Sequence, residues 1–428
     1  MVGILPEWLE KGFLTRNISR RLLQRRLAKH FLLIDPQADK NIDALVTADN
    51  GEYALVDIVN RVREGKSFRD LPNLAIPMQN EYVFNPGDKI DANIDSYAID
   101  WSDYIQTIGE LEAPILYGMG CPFRCGFCDF HGLKQVRSRS KMSLTLELQS
   151  LSAPHMSRKK VYFIDDNLGA NRKRLLNLTE SIAAANIDIE WRAFLHVSAI
   201  DQEIANKLRN SGCRELLLGM ESGDPDVLRN MNKNLDLDKA LKSIHYLDSV
   251  GIRTQCTFVV GFPGECSKSI DKTAAFISAL PSGDSAVTFH RYYLFRFMLS
   301  PLSPIAEAEQ RKQFELSGIG SRWSHKTMTA NEATDAMREL FLRVKGSSHM
   351  YLEHLPEEWT DKTIRKIIEQ RDVVQKAKLE RNNVIGLGDL LSSVREADRQ
   401  MRTHGRQPFQ RIEHLDLEAA LGSVDHLS

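Results

Sequence analysis

The sequence predicts an α/β chain built on repeated βα units, and three observations carry that prediction. Between Ala113 and about Phe297, short apolar runs alternate six times with helical patterns. The runs end in polar or glycine-bearing residues, as in parallel sheets whose chemistry sits at the C-terminal ends of the strands. The first such end leads into Gly118-Met-Gly-Cys-Pro-Phe-Arg-Cys-Gly-Phe-Cys-Asp129, which holds three of the six cysteines within eight residues.

In chain order, residues 16–30 form a basic amphipathic pattern with Ile18, Leu22 and Leu23 on one helical face, read as a solvated helix. Ile42 to Val46 reads as a strand, Gly51 to Gly65 as a helix closed by glycine, and Tyr82-Val-Phe84 as part of a hairpin before a polar linker. The six repeat strands are expected at Pro114–Tyr117, Lys160–Asp165, Ile189–Phe194, Glu215–Gly219, Thr254–Val260 and Ser285–Phe289. Beyond them, His290 to Met298 is rich in aromatics and arginines and is expected to line the barrel mouth. Residues 330–428 are helical and charged, with Glu332–Val344 the clearest amphipathic helix and Gly386-Leu-Gly388 a punctuation between later ones, so 301–428 is expected as a helical C-terminal region. Three regions follow: 1–104, 105–300 and 301–428.

Composition narrows the class. With 42% hydrophobic and 26% charged residues and a net charge of -1, the chain suits a globular enzyme and no polyanionic partner. No run reaches the roughly 18 apolar residues of a membrane span, and the N-terminus lacks a signal pattern, so a cytoplasmic location is expected. Six cysteines in so long a chain, three of them clustered, fit a reducing compartment better than a disulfide framework. No phosphate loop, serine–histidine–aspartate arrangement or basic-aromatic nucleic-acid surface is visible.

The spacing of Cys121, Cys125 and Cys128 lets three thiolates converge on one centre. A closed zinc site needs a fourth ligand, for which His131 or Cys213 are candidates, whereas an iron–sulfur cluster on three cysteines leaves one iron open. The C-x3-C-x2-C spacing, with Phe127 before the last cysteine, resembles the signature of the radical S-adenosylmethionine (SAM) superfamily. That resemblance implies a partial (β/α)6 TIM-like barrel. It implies a 4Fe-4S cluster on Cys121, Cys125 and Cys128, with SAM on the fourth iron and reductive cleavage to a 5'-deoxyadenosyl radical. A small-molecule or peptide substrate, an electron donor such as flavodoxin or ferredoxin, and no nucleic-acid or membrane partner complete the expectation.

The same resemblance carries further candidates. Asp165 and Asp166 follow the second strand, where the family faces the SAM amino group, although either carboxylate also suits a helix N-cap. Glu221 and Ser222, after the fourth strand, stand where the family lines the SAM site, and Lys233 stands at a position often basic near the SAM carboxylate. Gly261 and Phe262 belong to a Gly-Phe-Pro-Gly turn that, in the family it resembles, approaches adenine with backbone groups. Gln255, a polar residue inside a strand, needs a partner if it points inward, and SAM or substrate is one candidate. His196 reads equally as a proton donor or substrate contact and as a packing histidine. Cys213, Cys256 and Cys266 read as packing residues.

Residues 42–104 resemble the closing part of the cobalamin-binding domain that precedes the barrel in one radical SAM subfamily, through Gly51-Glu52, Leu71-Pro72-Asn73-Leu74 and Asp103-Tyr104. Trp323-Ser-His325-Lys-Thr-Met328 resembles a stretch common past the barrel in the same subfamily. The subfamily's Asp-x-His-x-x-Gly loop does not occur in residues 1–100, where His30 is the single histidine. The expected N-terminal region is therefore a small, shortened α/β domain. The expected activity is radical chemistry on an unactivated carbon of a natural-product or peptide-type substrate. Two alternatives stand beside it: cobalamin-dependent C-methylation, and a non-catalytic protein whose loop is stapled by a cluster or zinc.

Overall fold

The computed structural model describes residues 18–19, 43–47, 51–78, 81–87, 93–104, 112–129, 136–152, 159–282, 286–301, 303–349 and 361–380. It divides into two compact units, Met1–Ser96 and Tyr97–Ser428. The basic helix expected at 16–30, His30, His131 and the 386–388 punctuation lie outside the described residues, apart from Ile18 and Ser19, which pair as a short strand.

The first unit holds a four-stranded sheet in the order β1 (Ile18–Ser19), β2 (Ala44–Val46), β3 (Leu74–Met78), β4 (Glu81–Asn85), with helix α1 (Gly51–Arg63) between β2 and β3. Helix α1 buries Ala54 and Ile58 against Ala44, Val46, Leu74 and Ile76. The expected strand, helix and hairpin are all present within a residue or two of their expected bounds.

The second unit is built on a fully parallel seven-stranded sheet. In chain order its elements are β5 (Ala113–Ile115), a small hairpin of β6 (Gly118–Met119) with β7 (Arg137–Ser138), α2 (Lys141–Ser150), β8 (Lys159–Phe163), α3 (Arg172–Ala185), β9 (Ile189–Leu195), α4 (Gln202–Asn210) and β10 (Cys213–Glu221). Then follow α5 (Pro225–Asn230), α6 (Leu237–Ser249), β11 (Arg253–Val260), α7 (Ser267–Ser278) and β12 (His290–Arg296). The sheet order β5-β8-β9-β10-β11-β12-β16 ends on β16 (Ser348–His349), a seventh strand that the sequence reading lacked. Between β12 and β16 lie α8 (Ala308–Phe314), a three-stranded antiparallel sheet of β13 (Ser317–Ile319), β14 (Arg322–His325) and β15 (Met328–Thr329), and α9 (Ala330–Arg343); α10 (Asp361–Leu379) comes last.

Strand alternation shows where the core lies. Along β8 and β9, every second residue is buried and joins the helix-side core with Val161, Phe163, Trp191, Ala193 and Leu195. Their neighbours, Tyr162, Arg192 and Phe194, are only half-buried and face the inside of the barrel. Ile164 and Phe295, at 46% and 47% exposure, continue that inner face, so the barrel interior is open rather than filled.

The sixth repeat strand is displaced from its expected place. Ala286–Phe289 precedes the strand, and the strand itself is His290–Arg296, paired along seven residues with β11. The aromatic and arginine-rich stretch expected at the mouth is therefore a strand wall. Its arginine and tyrosine face an open interior, so a mixed polar pattern costs little there.

Candidate active site

The cysteine loop follows β5 and is held by backbone bonds from several directions. Gly126 N–H donates to Met231 O at 2.6 Å, Ile305 N–H to Gly126 O at 2.9 Å, and Asn232 Nδ2 to Arg124 O at 2.8 Å. Gly120 N–H donates to Asp166 Oδ2 at 2.9 Å, and Asn167 Nδ2 approaches Cys121 Sγ at 3.5 Å. Phe127 meets Phe262 edge-to-face at 6.4 Å, joining the loop to the turn after β11. No disulfide links the six cysteines. Burial raises the Cys125 thiol, against the Lys233 cation that favours its thiolate.

Asp165 and Asp166 diverge, as adjacent strand-end residues do. Asp165 is buried on the helix side, where it accepts from Tyr117 N–H at 2.9 Å and pairs with Arg174. Burial pushes its carboxyl up to about 6, against the pull of Arg174. Both of its oxygens are engaged in fixing the exit from β5, the work of a brace. Asp166 is half-buried on the inner face and reaches the cysteine loop through Gly120.

Glu221 is the most constrained residue of the site. It ends β10 at a register shift after Gly219, with φ of 66°, a left-handed backbone that is rare for a residue with a side chain. Its carboxylate meets Lys233 Nζ at 3.2 Å, and both side chains are about nine-tenths buried. A side chain at Gly219 would stand 2.4 Å from the Glu221 carboxylate, so glycine there makes room for the pair. Lys233 lies in the turn after α5 rather than on a helix. Burial works against its charge, but Glu221 and the cysteine thiolates outweigh that and raise its pKa. The cation is therefore paired with Glu221 and is near enough to the cysteine loop to favour its thiolates.

Two expected SAM residues have other work. Ser222, fully buried, accepts from Asp224 N–H at 3.1 Å and lies 3.4 Å from Thr273 Oγ1, so it builds the turn into α5. Gln255 lies near the start of β11, six residues before the Gly261 turn and about 20 Å below it. There it donates to Glu215 Oε1 at 2.8 Å, and Arg291 pairs with the same oxygen at 2.7 Å. Gln255 thus belongs to a charge-balanced floor of the barrel, with Arg192 and Glu112 as a second pair. Nearby, Thr254, His290 and Asp248 are linked by bonds of 2.8 and 2.9 Å, an arrangement the sequence reading missed. Thr254 is fully buried at the strand's beginning, so this chain of bonds ties α6 to the sheet and offers no nucleophile.

The Gly261–Glu265 turn is clamped from the post-barrel sheet. His325 Nε2 donates to Gly261 O at 3.0 Å, Trp323 Nε1 donates to Phe297 O at 2.7 Å, and the two rings stack at 5.1 Å. The Trp323–Met328 stretch is therefore a brace for the turn, and Gly264 N–H donates to Thr327 Oγ1. At Gly261, with φ of 95°, a Cβ would stand 2.6 Å from both Ala333 and Trp323. Glu265, also buried, accepts from Gly261 N–H, and burial pushes its carboxyl up to about 8.

His196 completes the constellation. Its ring stacks on Phe123 of the cysteine loop at 4.2 Å, and its backbone N–H donates to Asn167 Oδ1 at 3.0 Å. Burial and the Lys233 cation hold its pKa down to about 3. The loop, Lys233, Glu221, Asn167 and His196 therefore share one end of the barrel.

Residues 115–277 match the family profile of the radical SAM superfamily. Over that stretch the chain carries a radical SAM domain. It is 24% identical over 246 residues to an uncharacterised methyltransferase of Pyrococcus horikoshii, a match covering 56% of this chain and 53% of the relative. It is 31% identical over 170 residues to a bacteriochlorophyllide d C-12(1)-methyltransferase of Chlorobaculum tepidum, covering 38% of this chain and 37% of that one. Among solved structures, the cobalamin-dependent S-adenosylmethionine radical enzyme OxsB with aqua-cobalamin bound aligns at a TM-score of 0.56 and 13% identity, over 93% of this chain and 63% of its own. The matched stretches span about half or less of the two curated relatives.

The residues fit the superfamily's cluster. Among the described residues no three histidine, cysteine or acidic side chains converge on a single-ion site. Cys121, Cys125 and Cys128 share one loop at the strand ends, the donor set that a cluster held by three cysteines requires. The Glu221–Lys233 pair puts a buried carboxylate and cation at the same end of the barrel as the loop. No described helix is long and apolar enough to cross a membrane.

Proposed function

We propose that this chain is a radical SAM enzyme that binds a 4Fe-4S cluster through Cys121, Cys125 and Cys128, and that it acts as a cobalamin-dependent C-methyltransferase. The observation that carries the first part is the cysteine loop pinned at the strand ends beside a buried Lys233–Glu221 pair. The second part is supported by the relatives, which are named as methyltransferases, and by the fold likeness to a cobalamin-dependent enzyme. This puts the cobalamin-dependent alternative ahead of the expectation of radical chemistry on an unactivated carbon of a natural-product or peptide-type substrate.

Bound at the loop, the cluster and SAM would supply the radical chemistry, and cobalamin would supply methyl transfer. The chain's own residues bind and orient. Lys233 presents a fixed cation to the SAM carboxylate, Glu221 and Asp166 present oxygens to its amino group or ribose, and the Gly261–Phe262 turn presents backbone groups to adenine. Asp165 and Ser222 hold the strand ends in place. The open inner face at Ile164, Phe194 and Phe295 leaves room for an apolar part of a substrate above the paired-charge floor.

The test is anaerobic reconstitution, followed by counting iron and sulfide and by assay for 5'-deoxyadenosine after reduction with SAM. About four irons per chain and a SAM-dependent product are expected, both lost in Cys125→Ala. Full cluster loading without SAM cleavage would refute the catalytic claim. Failure to retain hydroxocobalamin, read from its visible absorbance, would refute the methyltransferase part alone.

A further inference from the structure

We propose that His196 donates its Nε2–H to an oxygen of SAM, either the carboxylate or a ribose hydroxyl, as a cofactor-binding residue. This deepens the radical SAM reading and rests on it. Two ring nitrogens with different surroundings carry the argument. Nδ1 lies 3.3 Å from the Ser198 N–H and 2.7 Å from Ser198 Oγ, capping the short turn Val197–Ala199. A backbone N–H can only donate, so Nδ1 is the acceptor and carries no proton. In the neutral ring the proton is therefore on Nε2.

That Nε2–H is buried and has no partner among the described residues, in a side chain only 5% exposed. A buried N–H without an acceptor is unfavourable, and native sites that keep one commonly reserve it for a bound group. Its surroundings point to the group. The ring is stacked on Phe123, which lies between Cys121 and Cys125, while the His196 backbone N–H bonds Asn167, whose amide approaches Cys121. The Lys233 cation is close enough to act on the imidazole. A ligand group placed here meets the Nε2–H donor, which favours an acceptor such as a carboxylate or a hydroxyl over another donor. The imidazole also stays neutral beside that cation, so the donor does not depend on protonation.

The experiment separates the two nitrogens. His196→Asn keeps an acceptor near Nδ1 and loses the distal donor; His196→Gln keeps a distal N–H and loses the cap. Each reconstituted protein is titrated with SAM, and the change in the electron paramagnetic resonance spectrum of the reduced cluster reports binding without turnover. With iron and sulfide contents equal to wild type, His196→Asn is expected to bind SAM about tenfold more weakly and His196→Gln within about threefold of wild type. Wild-type affinity in His196→Asn, or equal losses in both variants, overturns the proposal. 5'-Methylthioadenosine, which keeps the ribose but lacks the carboxylate, identifies the acceptor, measured by equilibrium dialysis. The penalty of His196→Asn persists with this probe if the ribose accepts and vanishes if the carboxylate does. A wild-type protein that loads a cluster but shows no response to SAM overturns the radical SAM reading together with this one.

Discussion

Glu265 should make the turn after β11 sensitive to pH, with a sign that differs from that of an ordinary paired carboxylate. Its carboxyl is buried, accepts from Gly261 N–H and lies near Asp224, so burial first and then Asp224 push it from 4.5 up to about 8. Because the folded-state value is raised, the folded protein holds this proton more tightly than the unfolded chain does. Its contribution is fully present below pH 4.5 and is lost as pH rises through about 8. At about 1.4 kcal/mol for each pH unit between those values, the loss is about 3–5 kcal/mol once both states are ionised. Glu265→Gln keeps an oxygen for the Gly261 N–H and removes the titration. Urea denaturation at pH 5, 7 and 8.5, followed by tryptophan fluorescence, should find variant and wild type close at pH 5. The variant should then gain steadily, by about 3–5 kcal/mol at the highest pH. Parallel curves at all three values, or a wild type that gains on the variant as pH rises, would refute the reasoning.

Two further outcomes follow from the site's packing. Lys233→Met leaves the Glu221 carboxylate buried and uncompensated, so the cluster-free protein should lose about 3–5 kcal/mol in urea denaturation. Adding Glu221→Gln to that variant should restore most of it, and no recovery in the double variant would mean the pair is not the source of the loss. Gly261→Ala forces a side chain into a left-handed backbone against Ala333 and Trp323, at a cost of roughly 2–4 kcal/mol. The near-ultraviolet circular dichroism of Trp323 should change with it, whereas an unperturbed spectrum and unchanged stability would show that the turn yields freely.

The repeats were legible because a parallel strand between helices repeats one physical pattern, an apolar run followed by a polar end, and five of six were placed within two residues of their observed bounds. The sixth was not, for a reason that belongs to this barrel. Ala286-Val-Thr-Phe289 has the continuous apolar character of a strand buried on both faces, yet β12 begins at His290 and alternates buried Tyr292 and Leu294 with inner-face Arg291 and Tyr293. An open interior relaxes the demand for apolar residues on one face, so the strand that borders it looks like a loop in sequence. The same openness explains Gln255. Its need for a partner was legible, but the partner is Glu215, forty residues away in sequence and bound also to Arg291, and only the sheet order brings the three together. The cysteine spacing, by contrast, is a local pattern and needs no sheet order to be read. What the structure adds to it is long-range: Lys233 and Glu221 beneath the loop, a clamp from Trp323 and His325 on the neighbouring turn, and on His196 one nitrogen committed to a cap while the other is held in reserve. A residue's type can be read from a motif, but the direction in which it spends its hydrogen bonds depends on neighbours that the chain brings together only by folding.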